Sequence, residues 1–403
     1  MNLLNKSILA GMLVMNVLAS CSNSSSSKNG VKNEGKPFEP QKLLKYDPKD
    51  ADKEVDAFMQ HLHKKSAFNG NVLVAKKGKI IYEGAFGWAN HLTRDSLKLD
   101  SKFELASVSK TMTGTAIMML WEQGKIKLDQ DVRDFYPNFP YEGVTIRLLL
   151  THRSGMMNYV YFVDGLYRKE HRDQKKGITN QQVMNLIAEY KPAPFNKPNV
   201  RFLYNNSNYM VLGAIIEKVT GMPYAQYMQE NIFKPSGMTH TAVYSKAVYD
   251  KIPADVVGHD RNSWRYSVAQ NFLDGPVGDK GIYSTIGDLY LFDQALKAGR
   301  LIKPATQDSA YAAHVTPLIR GHFSYGYGWR IFEDKNQKVV YHTGWWHGFR
   351  HIFLRDLKND VTIILLGNLV NGSLLHLDDL FKATGMPVVR KDAYKGTGET
   401  AED

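Results

Sequence analysis

Phe103-Glu104-Leu105-Ala106-Ser107-Val108-Ser109-Lys110 is the stretch from which this 403-residue chain can be read. Ser107 and Lys110 stand three residues apart where the sequence predicts a helix over residues 108–123, punctuated by Gly124. Residues at i and i+3 share a helix face, so the hydroxyl and the amine meet. A serine hydroxyl is a weak nucleophile until a neighbour takes its proton, and a lysine can help once burial lowers its pKa. The helix N-terminus also favours negative charge developing at an acylated centre. Spacing alone carries little weight, because Ser25 to Lys28 repeats the pattern in a polar run where it has no meaning.

Outward from this stretch the chain divides into strand-rich ends and a helical middle. On the N-terminal side, Val55, Phe58, Met59 and Leu62 have helical spacing within residues 49–68. Next, Asn71-Val72-Leu73-Val74-Ala75 and Ile80-Ile81-Tyr82-Glu83 flank Lys76-Lys77-Gly78-Lys79, a hairpin pattern. Residues 125–275 carry helical signals, as at 181–190 and 209–219, divided by Pro- and Gly-bearing loops. Strand signals return at residues 326–331, 338–342, 348–355 and 361–366, with a turn expected over 344–348. Strands at both ends imply one sheet assembled from distant segments, with a helical region inserted between them.

At about 150 residues per domain, the length allows two to three domains or one large composite fold. Apolar residues at 43% and charged residues at 23% exclude wholesale disorder. One cysteine permits no intramolecular disulfide and no Cys-based metal site, so packing must hold the fold. The formal charge of +11 is spread with no basic run longer than a pair such as Lys64-Lys65. It reads as a solvated basic surface, and no nucleic-acid partner is expected.

Residues 1–20 carry one cation, Lys6, and an apolar stretch over 8–18 that is too short to span a bilayer. This is the pattern of a secretory signal. Leu18-Ala19-Ser20-Cys21 resembles a bacterial lipobox, which implies lipidation of Cys21 as the mature N-terminus; the alternative is an ordinary signal with a coincidental cysteine. The Ser/Asn-rich run after Cys21 suits a flexible tether. Loss of residues 1–20 removes one lysine and no acid, leaving +10. The expected organisation is a signal over 1–20, a tether over 21–47, a catalytic domain over 48–388 and a polar tail over 389–403.

Several blocks in order resemble the serine β-lactamase and penicillin-binding-protein family, in its class C, DD-peptidase and esterase branch. They are the Ser107 stretch, Gly124-Lys125-Ile126-Lys127-Leu128-Asp129, and Thr145-Ile146-Arg147-Leu148-Leu149-Leu150-Thr151-His152-Arg153-Ser154-Gly155-Met156. Phe202-Leu203-Tyr204-Asn205-Asn206-Ser207-Asn208-Tyr209 looks like the family's Tyr-x-Asn motif; Gly281-Ile282-Tyr283-Ser284-Thr285 and Tyr325-Gly326-Tyr327-Gly328-Trp329 also fit. Tyr341-His342-Thr343-Gly344 falls where the family keeps Lys-Thr-Gly or a variant. The resemblance covers about residues 50–385 and implies an α/β (α+β) fold of β-lactamase/transpeptidase type, an antiparallel sheet flanked by helices.

It further implies that Ser107 is acylated, that Lys110 is its proton partner and that Tyr204 is a second acid or base. Asn206 would hold Lys110 and a substrate oxygen, and the backbone N–H groups of Ser107 and Trp345 would form the oxyanion hole, with His342, Thr343 and Gly344 on the substrate wall. No cofactor or metal is implied. Taken alone, Tyr204 reads as a core tyrosine and Asn206 as a turn or cap residue; their flanks reverse both readings. His342, His347 and His351 invite a metal reading, set aside because no HExxH-type pair or carboxylate accompanies them. Trp345-Trp346 suits either a pocket wall or a cover over the sheet edge.

His342 departs from the lysine of many β-lactamases. A histidine there supplies charge only if its pKa is raised, in which case activity on carboxylate-bearing substrates should grow toward pH 6. The expected function is acyl-enzyme hydrolysis of a peptide, amide or ester in the cell envelope. D-amino-acid wall peptides, small esters and weak β-lactam hydrolysis are the substrate alternatives. A catalytically idle wall-binding protein would also keep this fold, but retention of Ser107, Lys110, Tyr204 and Asn206 together argues against it. A binder of anionic polymers would instead show strong salt dependence.

Overall fold

Seven strands drawn from the two ends of the chain form one antiparallel sheet in a computed structural model that describes residues 38–260, 267–315, 323–334, 337–387 and 389. They are β1 (Gly70–Lys76), β2 (Lys79–Phe86), β3 (Phe323–Tyr325), β4 (Arg330–Asp334), β5 (Gln337–Trp346), β6 (Phe349–Asp356) and β7 (Val361–Gly367), in the order β2-β1-β7-β6-β5-β4-β3. The join between the chain ends is the ladder from Gly70↔Gly367 to Lys76↔Val361. The expected signal, Cys21 and the tail past 389 lie outside the described residues.

Every residue of β7 is buried, and all of β1 except its last. Near-continuous apolar runs of this kind belong to strands covered on both faces. Val72, Val74, Ile363 and Leu365 pack with Val55, Met59 and Leu62 of α1 (Lys53–Ser66) on one side. Leu73, Ile364 and Leu366 enter the larger core on the other, which includes Met112, Ala116 and Ile117 of α2 (Ser109–Glu122). The helical middle contributes α3 (Tyr159–Lys169), α4 (Asn180–Tyr190) and α5 (Asn206–Thr220) to this second layer, followed by α6 (Ile286–Lys297). Helix α2 is buried nearly all round, so its first turn is held from several directions.

The expected fold class is the one observed, with three local differences. The strand expected over 326–331 is shorter, because 326–329 connect β3 to β4. Gly328 has φ +86, and a Cβ there would stand 2.7 Å from the Lys110 carbonyl oxygen, so only glycine lets this turn lie against α2. The turn expected over 344–348 is narrower, because β5 continues through Trp346 and reverses at His347 and Gly348, whose φ values of 44 and 84 suit a two-residue hairpin. Packing also begins before residue 48, with Phe38, Leu43, Leu44 and Tyr46 half-buried against the core.

Candidate active site

Ser107 lies in a tight turn joining a short strand, Phe103–Glu104, to α2. The strand is anchored by pairing of Phe103 with Ser284 and Glu104 with Tyr283, and the Leu105 N–H donates to the Ile282 carbonyl at 2.8 Å. Ala106 has φ 48, a left-handed value uncommon for a residue with a side chain. Such strain persists only where the surroundings over-determine it, and it sits directly before the serine.

Ser107 is 8% exposed and Lys110 is fully buried. Lys110 Nζ donates to Ser107 Oγ at 2.8 Å, to Asn206 Oδ1 at 2.8 Å and to the Asp279 carbonyl at 3.0 Å. Ser107 Oγ, Asn206 Oδ1 and the Asp279 carbonyl can each accept from the Lys110 amine. Asn206 is set by the start of α5, where Asn205 Oδ1 caps the Ser207 N–H at 2.9 Å and Asn205 Nδ2 donates to the Met156 carbonyl. Tyr204 is buried with its ring centroid 5.0 Å from Lys110 Nζ.

Strand β5 crosses this turn from above. A Cβ on Gly344 would stand 2.5 Å from the Leu105 carbonyl oxygen, so the glycine lets the strand close on the serine. Beyond it, Trp345 and Trp346 join Ser107, Tyr204 and Asn206 in lining a cleft of about 410 Å³. The Arg350 guanidinium lies 4.1 Å from the Trp345 ring centroid. Trp346 Nε1 donates to Asp274 Oδ1 at 2.6 Å, and His347 Nε2 is 2.9 Å from Asp274 Oδ2. Burial would raise the Asp274 carboxyl, but His347, Lys280 and Trp346 outweigh it and hold the group below its usual range.

The structure thus gathers Ser107, Lys110, Tyr204, Asn206 and Trp345, and treats the third block differently. Thr343 is half-buried, and its carbonyl accepts from His342 Nδ1 at 2.7 Å. His342 is fully buried and does not line the cleft. Its Nε2 receives the Tyr325 hydroxyl at 2.9 Å, so both ring nitrogens are engaged away from substrate. Burial first, then Arg330 and Lys110, hold its pKa well below 6.5. The condition for a titrating charge, a raised pKa, is not met, so activity on carboxylate-bearing relative to neutral substrates should stay flat from pH 8 to 6, as parallel pH–rate profiles would show. The other two histidines of that stretch separate, His347 to Asp274 and His351 Nε2 to the Glu104 carbonyl.

Sequence reasoning missed a buried polar cluster behind the cleft. Lys280 Nζ donates to the Tyr159 hydroxyl at 2.5 Å and stands 3.3 Å from Asp279 Oδ2. Nearby, burial and Asp274 push the Glu104 carboxyl up to about 8, with Lys280 opposing. Asp279 and Lys280 directly precede the Gly281-Ile282-Tyr283-Ser284-Thr285 block, a position that could have flagged them.

Comparison with known proteins agrees with this architecture. The family model described as Beta-lactamase matches residues 52–382. Penicillin-binding protein 4* of Bacillus subtilis (strain 168) is 34% identical over 330 residues, spanning 78% of this chain and 71% of that protein. A penicillin binding protein from Bacillus halodurans superposes with a TM-score of 0.69 at 23% identity, covering 81% of this chain and 98% of that one. D-amino acid amidase from Ochrobactrum anthropi SV3 has the same fold, with a TM-score of 0.67 at 20% identity over 83% of this chain and 99% of that one. Fold and relatives together define a serine hydrolase of the class that turns over peptides, amides or esters through an acyl-enzyme. The chain belongs to the beta-lactamase family.

Proposed function

We propose that Ser107 is the acylated nucleophile and that the enzyme cleaves D-amino-acid peptides or amides of the cell wall. The observation that carries the reading is the buried Lys110 amine joining Ser107 Oγ to Asn206 Oδ1 at 2.8 Å each. In this scheme Ser107 Oγ attacks the substrate carbonyl carbon while its proton passes to the Lys110–Tyr204 pair, which receives it as either a neutral Lys110 amine or a Tyr204 phenolate. That proton is returned to the leaving nitrogen or oxygen as the C–N or C–O bond breaks. Water then releases the acyl group by the same steps in reverse. The backbone N–H groups of Ser107 and Trp345 stabilise the oxyanion, and Asn206 orients Lys110 and the substrate. The substrate class is supported by the relatives' names, a penicillin-binding protein and a D-amino acid amidase.

The proposed setting is the cell envelope, with a lipid on Cys21 holding the enzyme to a membrane. Support comes from the signal-like residues 1–20 and the lipobox-like Leu18-Ala19-Ser20-Cys21. Among the described residues no helix is long and apolar enough to cross a membrane. Mass spectrometry after brief incubation with a D-alanyl thioester tests the central claim. An acyl adduct on the Ser107 peptide that decays as product forms is the expected result, and an adduct confined to another residue would refute it.

A further inference from the structure

We infer that His152 is a positioning residue that grips the Tyr204-Asn205-Asn206 segment by the backbone on both sides of Tyr204, an inference resting on the acyl-transfer roles proposed for that segment. His152 follows the short helix Ile146–Leu150 and is completely buried. The Leu203 N–H donates to the His152 carbonyl at 2.8 Å. The Asn205 N–H donates to His152 Nδ1 at 3.1 Å. The backbone donors immediately before and after Tyr204 therefore end on one residue. Between them the Tyr204 ring packs against the imidazole, with centroids 4.3 Å apart and planes at 37°.

The backbone of His152 has φ 54, a left-handed conformation in which Asn, Asp and His are enriched. A second restraint sets the tautomer. Ser154 Oγ donates to Asn208 Oδ1 at 2.5 Å, which turns the Asn208 amide nitrogen toward His152 Nδ1 at 2.9 Å. Nδ1 is thus an acceptor for two donors, and the ring proton sits on Nε2. Burial, then the Lys110 charge, keeps the ring neutral, as this double acceptance needs. The consequence is a Tyr204 held against rotation or retreat from Lys110 without a bond to its own hydroxyl being required. A shift of about 1 Å in such a group can cost roughly 10²-fold in rate.

Two variants of the full chain separate this role from simple packing. His152→Asn offers an amide oxygen near the position of Nδ1 and tolerates the left-handed backbone, whereas His152→Phe keeps the ring and loses the acceptor. On an activated ester, His152→Phe is expected to lose roughly 10- to 100-fold in kcat with KM within about threefold, and His152→Asn to stay within about fivefold of the parent kcat. The opposite ranking, or a fully active His152→Phe, would overturn the inference. Should His152→Phe fail to fold, a loss of about 10² or more in a folded His152→Asn would overturn it alone. Nitrogen-15 NMR of labelled histidine at pH 7 gives a readout without turnover, with the signal assigned by its absence in His152→Asn. A neutral ring protonated on Nε2 is expected, and protonation on Nδ1 would sink the idea. Failure of the acyl-transfer roles would look different: Ser107-independent turnover with the Nε2–H tautomer intact.

Discussion

Replacing Lys110 with alanine is expected to cut ester turnover by about 10² or more while leaving a folded protein. The amine bonds both Ser107 Oγ and Asn206 Oδ1, so its removal takes away the partner of the proposed nucleophile and the link between two motifs. The buried Asp279 carbonyl also loses a donor, at a cost of about 1–3 kcal/mol, and the half-buried Asn206 Oδ1 loses one at the edge of the cleft. The variant should therefore melt lower than the parent, and calorimetry beside kinetics separates the two effects. Near-parental turnover in Lys110→Ala would remove the amine from the mechanism. Proportional loss of activity and folded fraction would make its role purely structural.

The second large effect is expected at Gly344, a residue with no functional group. Its added Cβ in Gly344→Ala would meet the Leu105 carbonyl oxygen at 2.5 Å, and backbone cannot swing aside as a flexible side chain can. Strand β5 must then lift from the serine turn, carrying the Trp345 N–H with it. A displacement near 1 Å should lower kcat by about 10²-fold. Because Trp345 and Trp346 also wall the cleft, KM should rise in the same variant. A crystal structure of Gly344→Ala with β5 unmoved, or unchanged kcat, would contradict this account of how the strand serves the site.

Much of this was legible before any tertiary structure. The hairpin of β1 and β2 is visible because apolar strand runs flank a Gly-bearing turn, and α1 because Val55, Met59 and Leu62 repeat at helical spacing. The Ser107, Tyr204 and His342 blocks were found as local patterns, since each spans only a few residues. Where local pattern misled, the cause was a contact from elsewhere. Residues 326–329 resemble strand in composition, but they pass over α2, and the Lys110 carbonyl decides their shape.

His342 shows the same boundary in chemistry. Its place in the third block is readable from sequence, but its protonation depends on Arg330, Lys110 and Tyr325, none of them its chain neighbours. His152 lies in one of the sequence blocks, but its bonds to Leu203 and Asn205 leave no trace in the spacing around it.

The sequence by itself determined the family, the class of chemistry and the candidate residues Ser107, Lys110, Tyr204 and Asn206, because these reside in short motifs and in the periodicities of strand and helix. Only the tertiary structure decided which groups meet. Lys110 reaches Asn206 across 96 residues and Asp279 across 169, and such pairings, with the burial that sets protonation, arise only when the sheet and the helical layer close around α2.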